Sequence, residues 1–238
     1  MHRFFAPQID FAARVITLTA DETRHLKDVL RLKAEDEVSA FDGAGREFLC
    51  RISTIGKHTA SLELGDEIAP SSPESPLNLT LAPTVLNGDK YDLVVQKAVE
   101  LGVMRLIPMQ TIRGDVKAAD AARRLVRWRR IAMEATKQCG RARLMEVAEP
   151  ATFSGIIENS ATPILMFSER EGSGFDALEP ARDMTALVGP KGGWDDKELE
   201  AARDAGATVV TLGGRIMRAE TASIALVALL QHRLGDLR

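Results

Sequence analysis

A proline- and serine-rich stretch at residues 67–76 divides this chain into two texts with different periods. That division constrains the fold more than any other feature. The stretch, EIAPSSPESP, holds three prolines, three serines and no periodic apolar pattern, so it reads as a linker. Before it, short β-branched alternations dominate at 15–19 (VITLT) and 60–64 (ASLEL). Residues 38–41 run into the turn signal Asp42-Gly43, and a strand pattern resumes over 46–55. One short helix fits 21–32, with Leu26, Val29 and Leu30 on one face. Short strands with one helix predict a small barrel-like module over residues 1–70.

After the linker, strand and helix patterns alternate. Strands are expected at 77–82, 103–109, 163–167, 185–188 and 207–212. Helices are expected at 88–101, 120–139, 195–205 and 220–234, with Asp195 and Glu198 spaced as a capping box. This alternation predicts an α/β layer with a mainly parallel sheet over residues 77–238, and ligands bind such sheets at the carboxyl ends of their strands. The last helix is apolar on every side across 224–230, so it must be buried all round, by the sheet or by a second subunit.

Composition narrows the function classes. The chain has 238 residues, 45% apolar and 27% charged, which suits a globular protein with a sizeable core. Two distant cysteines, Cys50 and Cys139, exclude a disulfide scaffold and a CxxC motif, and the four histidines form no metal-binding pair, so no metal is expected. The strongest apolar run, 222–230, is too short to span a bilayer, and the N-terminus carries no secretory pattern. A cytoplasmic protein without a membrane partner is therefore expected.

The net charge of −3 hides an asymmetry. Residues 113–143 carry ten basic residues against Asp115, Asp120 and Glu134, hence +7 locally. On helix 120–139, Leu125, Trp128, Ala132, Ala135 and Cys139 form an apolar stripe, while Arg123, Arg127, Arg130 and Lys137 form a ridge nearly opposite. A cationic ridge in a chain only 5% aromatic suits a nucleic-acid backbone better than stacked bases. The plain alternative is a solvated helix face whose partners lie elsewhere in the fold.

Two strand ends carry glycine clusters, LVGPKGGW at 187–194 and LGGRIMRAETA at 212–222. Neither is a phosphate loop or a dinucleotide fingerprint. Glycines there let the backbone turn sharply and approach a ligand that is read by backbone groups, as adenosine with a methionine tail would be. Taken singly, each cluster is equally an ordinary tight turn.

Together the two clusters resemble the RsmE family of ribosomal RNA methyltransferases, in the SPOUT superfamily. Arg3-Phe4-Phe5, His25-Leu26, Val29-Leu30-Arg31-Leu32, Phe41-Asp42-Gly43, residues 96–103 (QKAVELGV), Gln138-Cys139-Gly140-Arg141 and Gly235-Asp236-Leu237 extend the resemblance along nearly the whole chain. It implies a PUA-like β-barrel followed by a trefoil-knotted α/β domain, S-adenosylmethionine as cofactor, and methylation of a uridine N3 in small-subunit (16S) rRNA. It also implies a homodimer packed through terminal helices of the knotted domain. Carried over by motif, the cofactor pocket comprises Phe167, Ser168, Val188, Gly189, Pro190, Gly192, Gly193, Leu212, Gly213, Ile216, Met217 and Arg218.

Three residues depart from the family pattern. Lys191 stands where Glu is usual, and Met217 and Ala219 replace Leu and Thr. All the glycines are kept, so cofactor binding is expected to survive. Methyl transfer to N3 needs a base or a cation that stabilises the uridinate. Glu220 is a candidate base or a helix-capping charge, and Arg218 and Arg141 are candidate anion stabilisers or phosphate contacts. Arg3, Arg24, Arg31, Arg123, Arg127, Arg130, Arg141 and Arg143 are candidates for RNA contact. A SPOUT enzyme with another target nucleotide, or a silent RNA-binding ribosome-assembly factor, are the competing readings. A nicotinamide oxidoreductase is disfavoured by the missing fingerprint.

Overall fold

The computed structural model describes residues 1–175 and 178–238. The chain forms two compact units. One is Met1–Glu74 with Thr136–Leu144, and the other is Ser75–Ala135 with Met145–Arg238.

In the first unit a six-stranded sheet runs in the order Arg3–Phe5, Glu37–Phe41, Glu47–Ile55, Ala60–Ile68, Val15–Thr17, Ile9–Asp10. Only the pairing of Arg3–Phe5 with Glu37–Phe41 is parallel. Register shifts at Phe48/Cys50 and Ile52/Thr54 mark bulges, which bend a strand around what it covers. Inward residues Phe4, Ile16, Val38, Ile52 and Leu62 share one core with Leu26. The helix expected at 21–32 is shorter and changes type. Ala20–Arg24 is α-helical with Thr19 as its cap, and His25–Val29 is a π-turn closed by Leu30 N–H donating to His25 O. Ile68, expected in the linker, ends the strand Ala60–Ile68.

The nine-residue insert Thr136–Leu144 joins this unit through polar contacts. Arg3 donates to the carbonyls of Thr136, Lys137 and Arg141, closing the end of the long helix Ala118–Cys139 where carbonyls lack intrahelical partners. The same guanidinium pairs with Glu47 at 2.8 Å, and Ser39 donates to that carboxylate at 2.6 Å. Desolvation pushes the Glu47 carboxyl up, but these donors outweigh it and hold it below its ordinary 4.5.

The second unit carries a seven-stranded, wholly parallel sheet. Its order is Glu146–Val147, Arg105–Leu106, Asn78–Pro83, Asp183–Val188, Ile164–Phe167, Thr208–Thr211, Ser173–Gly174. The central strands Ile164–Phe167 and Asp183–Val188 are buried almost throughout, which explains their continuous apolar text. The strand expected at 103–109 is broken. Pro108 lacks an N–H, and Met109–Gln110 pairs with Ala151–Thr152 in a separate two-stranded ladder. Helix Phe153–Asn159, capped by Thr152, has no counterpart in the sequence reading, because seven residues are too few for a period to register. In the long helix the stripe residues Leu125, Trp128, Ala132 and Ala135 are buried as expected, and Trp128 packs on Tyr91 with ring centroids 4.5 Å apart.

Candidate cofactor site

Strand Ile164–Phe167 lies between Asp183–Val188 and Thr208–Thr211, with both neighbours parallel to it. Loops leaving these three strands therefore emerge side by side at the carboxyl edge. There they border a small, open cleft, at the edge where ligands bind parallel sheets. Of the residues expected at a cofactor, Phe167, Val188, Gly189, Pro190, Ile216 and Met217 line it. Ser168, Gly192, Gly193, Leu212, Gly213 and Arg218 lie on the same three loops, beside the lining residues. Glu169, Lys191, Ala219 and Ala222 also line the cleft and were not among the expected set. Ala219 and Ala222 were legible in principle, since residues three apart on the first turn of a helix share a face.

The first glycine loop is held tightly. Trp194 is buried and donates from Nε1 to Phe167 O at 2.6 Å, tying the loop to the neighbouring strand end. A Cβ on Gly189 would lie 2.8 Å from the Trp194 ring, so only glycine permits that approach. Gly193 N–H donates to Pro190 O, closing a four-residue turn, and Gly193 takes φ +71°. Asp195 and Glu198 form the expected capping box at the start of helix Asp196–Asp204. The second loop turns on consecutive left-handed residues, Gly213 (φ +65°) and Gly214 (φ +75°). It delivers Ile216, 87% exposed, and Met217 to the cleft.

The lining fits a nucleoside attached to a charged amino-acid tail. Phe167, Val188, Ile216, Met217, Ala219 and Ala222 supply apolar surface, Glu169 an acceptor and Lys191 a cation. Among the described residues, no three or more His, Cys, Asp or Glu side chains converge as a metal site would require.

The candidate reaction residues are placed as follows. Arg218 is the N-cap residue of the final helix Ala219–Leu234, is exposed, and makes no capping bond with its side chain. Glu220, in that helix's first turn, is 14% exposed and sits 3.5 Å from the Lys90 ammonium. Arg141 is engaged elsewhere. It belongs to the first unit, is 3% exposed, and Glu74 clasps its guanidinium at 2.6 Å.

The expected RNA contacts divide in the same way. Arg3 and Arg141 are consumed inside the first unit, whereas Arg24, Arg31 and Arg143 are exposed there. Arg31 takes φ +55° at the end of the π-turn, a position where glycine is usual. On the long helix, Arg123 pairs with Asp120, and Arg127 with Asp92 and Asp89. The hydrogen bond and charge of Asp92 push the Arg127 guanidinium up. Arg130 has no side-chain partner among the described residues. The same holds for Lys191, Arg215 and Arg218 around the cleft.

Comparison with known proteins identifies the family. A family model for an RNA methyltransferase domain matches residues 73–231, and one for an RNA methyltransferase PUA domain matches residues 18–65. The chain is 31% identical to the ribosomal RNA small subunit methyltransferase E of Rickettsia conorii, over 90% of this chain and 88% of that one. It is 32% identical to the protein of the same name from Synechocystis, over 90% of this chain and 71% of the relative. Among solved structures, the ribosomal RNA small subunit methyltransferase E of Neisseria gonorrhoeae bound to S-adenosyl methionine superposes with a TM-score of 0.91. That pair is 34% identical with both chains wholly covered.

Proposed function

The chain belongs to the RNA methyltransferase family, and we propose that it methylates N3 of a uridine in small-subunit (16S) rRNA using S-adenosylmethionine. Its fold is the SPOUT α/β domain with a PUA-like barrel. The observation that carries the reading is the cleft at the carboxyl edge of three adjacent parallel strands, bounded by both glycine loops.

Phe167, Val188, Gly189, Pro190, Ile216 and Met217 hold the cofactor, with Ser168, Gly192, Gly193, Leu212, Gly213 and Arg218 shaping the loops around it. Bound there, S-adenosylmethionine supplies an electrophilic methyl group. The protein's share is positioning and charge. Methyl transfer requires nucleophile, carbon and sulfur in line, and a rigid loop reduces the cost of reaching that geometry. Arg218 stabilises the anionic uracil as N3 loses its proton to solvent water. Glu220 acts by position, since its carboxylate is engaged by Lys90 and lies in the first turn of a helix, where negative charge is favourable.

RNA phosphates meet the exposed cations Lys191 and Arg215 at the cleft, together with Arg130 on the long helix and Arg24, Arg31 and Arg143 on the barrel. Lys191, which reverses the family's usual charge, thereby gains a role that a carboxylate there would oppose. Two copies pair through the final helix. Leu229 is 37% exposed on it, and Leu93 is 41% exposed on the neighbouring helix Lys90–Glu100. Among the described residues no helix is long and apolar enough to cross a membrane, and rRNA as substrate assigns the protein to the cytoplasm.

The deciding experiment is transfer of labelled methyl groups to small ribosomal subunits that lack the modification, followed by nucleoside analysis. N3-methyluridine at a single site is expected. Transfer to another nucleotide would keep the enzyme and change the target. Absence of both transfer and cofactor binding would overturn the reading in favour of a silent RNA-binding factor.

A further inference from the structure

Arg113 opens the basic segment yet serves no ridge, because it lies before the long helix and turns toward the first glycine loop. Its Nη1 reaches Gly192 O at 3.4 Å, and its Nη2 pairs with Asp195 Oδ2 at 3.2 Å. The aliphatic part of the side chain rests against Gly192, where an added Cβ would meet Arg113 Cβ at 3.7 Å and Cδ at 3.8 Å. One residue earlier, Ile112 N–H donates to Glu198 Oε1 at 2.9 Å, while Glu198 Oε2 accepts from Asp195 N–H at 3.1 Å. Residues 112–113 thus grip the loop at its carbonyl, its cap residue and the helix that follows.

We propose that Arg113 is a positioning residue that holds loop 189–195 in its ligand-binding shape through Gly192 and Asp195, and so sets the affinity for S-adenosylmethionine. The physical reason is conformational entropy. A segment with Gly189, Gly192 and Gly193 has many accessible backbone states, and whatever order the protein does not impose the ligand must impose on binding. Trp194 anchors this loop from the sheet side and Arg113 from the other. Removing Arg113 returns part of the ordering cost to the binding step and leaves the groups that face the methyl carbon in place. This inference rests on the cofactor reading above, but the restraint on the loop exists with or without a ligand.

Arg113→Ala, Arg113→Lys and Asp195→Asn test it in the full chain. In Arg113→Ala, amide hydrogen exchange at Gly192 and Gly193 should quicken in the ligand-free protein. The dissociation constant and KM for S-adenosylmethionine should rise about five- to tenfold, as expected when the competent loop becomes a minor state, with a smaller change in kcat. Arg113→Lys keeps the charge opposite Asp195 and should recover part of the loss. Asp195→Asn keeps a capping oxygen, should reproduce part of the effect, and should add little to Arg113→Ala. Unchanged exchange would overturn the proposal, as would a rise in KM for RNA without one for the cofactor. Quickened exchange in a protein that binds no S-adenosylmethionine would leave the restraint standing and refute the cofactor reading instead.

Discussion

The interior of the first unit and the glycine loops of the second use cationic side chains differently. In the first, Arg3 and Arg141 lie in the interior, where one closes a helix end while paired to Glu47 and the other is clasped by Glu74. In the second, Lys191 lines the cleft and Arg215 and Arg218 lie on its second glycine loop, with no side-chain partner among the described residues. Cationic side chains are therefore structural in one place and available to a polyanion in the other. A buried cation demands a partner because its desolvation is costly, whereas an exposed one needs none. Charge clustering in a sequence does not identify which cations a ligand meets; their tertiary partners do.

The sharpest way to break this contrast is Arg3→Met. It leaves the buried Glu47 carboxylate with Ser39 as its remaining side-chain donor, and the expected cost is about 3–5 kcal/mol, read from chemical denaturation. The pH dependence gives the same test a sign. Glu47 is held below 4.5 in the folded state, so its stabilising contribution is present above that value and lost as pH falls through the lower folded one. Arg3→Met should flatten that acid limb of the stability curve.

Glu220→Gln comes next. Removal of a true general base costs about 10²–10⁴ in rate, whereas a positioning carboxylate should cost less than about tenfold. Single-turnover methyl transfer separates the two outcomes, and a loss above a hundredfold would restore Glu220 as the base. Smaller effects separate the cleft from the ridge. Lys191→Ala and Arg215→Ala should each lower the slope of log affinity against log salt by about 0.7–0.9, in RNA binding followed across a salt series. Arg123→Ala and Arg127→Ala should change it less, because acidic neighbours already engage those side chains. Arg215→Ala should also leave the melting temperature nearly untouched, within about 0.5 kcal/mol of stability, as expected for a surface cation outside any network.

The sequence reading captured features governed by neighbours along the chain. The long helix shows its apolar stripe, the capping box at Asp195 and Glu198 forms, and the two glycine clusters follow strands Asp183–Val188 and Thr208–Thr211, which flank Ile164–Phe167. Short or interrupted elements escaped it. The two-residue strands Glu146–Val147 and Ala151–Thr152 are too brief to show a period, and the π-turn at His25–Val29 carries the same apolar spacing as the α-helix expected there. Within the cleft, Phe167 and Met217 were legible through the resemblance. Glu169 was not, because an isolated acid after a strand carries no pattern of its own.

By itself, the sequence determined the change of period at residues 67–76, the parallel α/β text and the glycine loops, because periodicity, capping and left-handed turns depend on residues a few positions apart; that Thr136–Leu144 joins the first unit was decided in space. Only the tertiary structure decided which charges are free. Arg3 finds its partners 44 and 134 residues away at Glu47 and Lys137, Arg127 finds Asp92 35 residues away, and Arg113 finds Asp195 82 residues away. Those separations lie beyond any local pattern. An ion pair is a contact in space, and the same arginine reads identically along the chain whether a carboxylate or a phosphate awaits it.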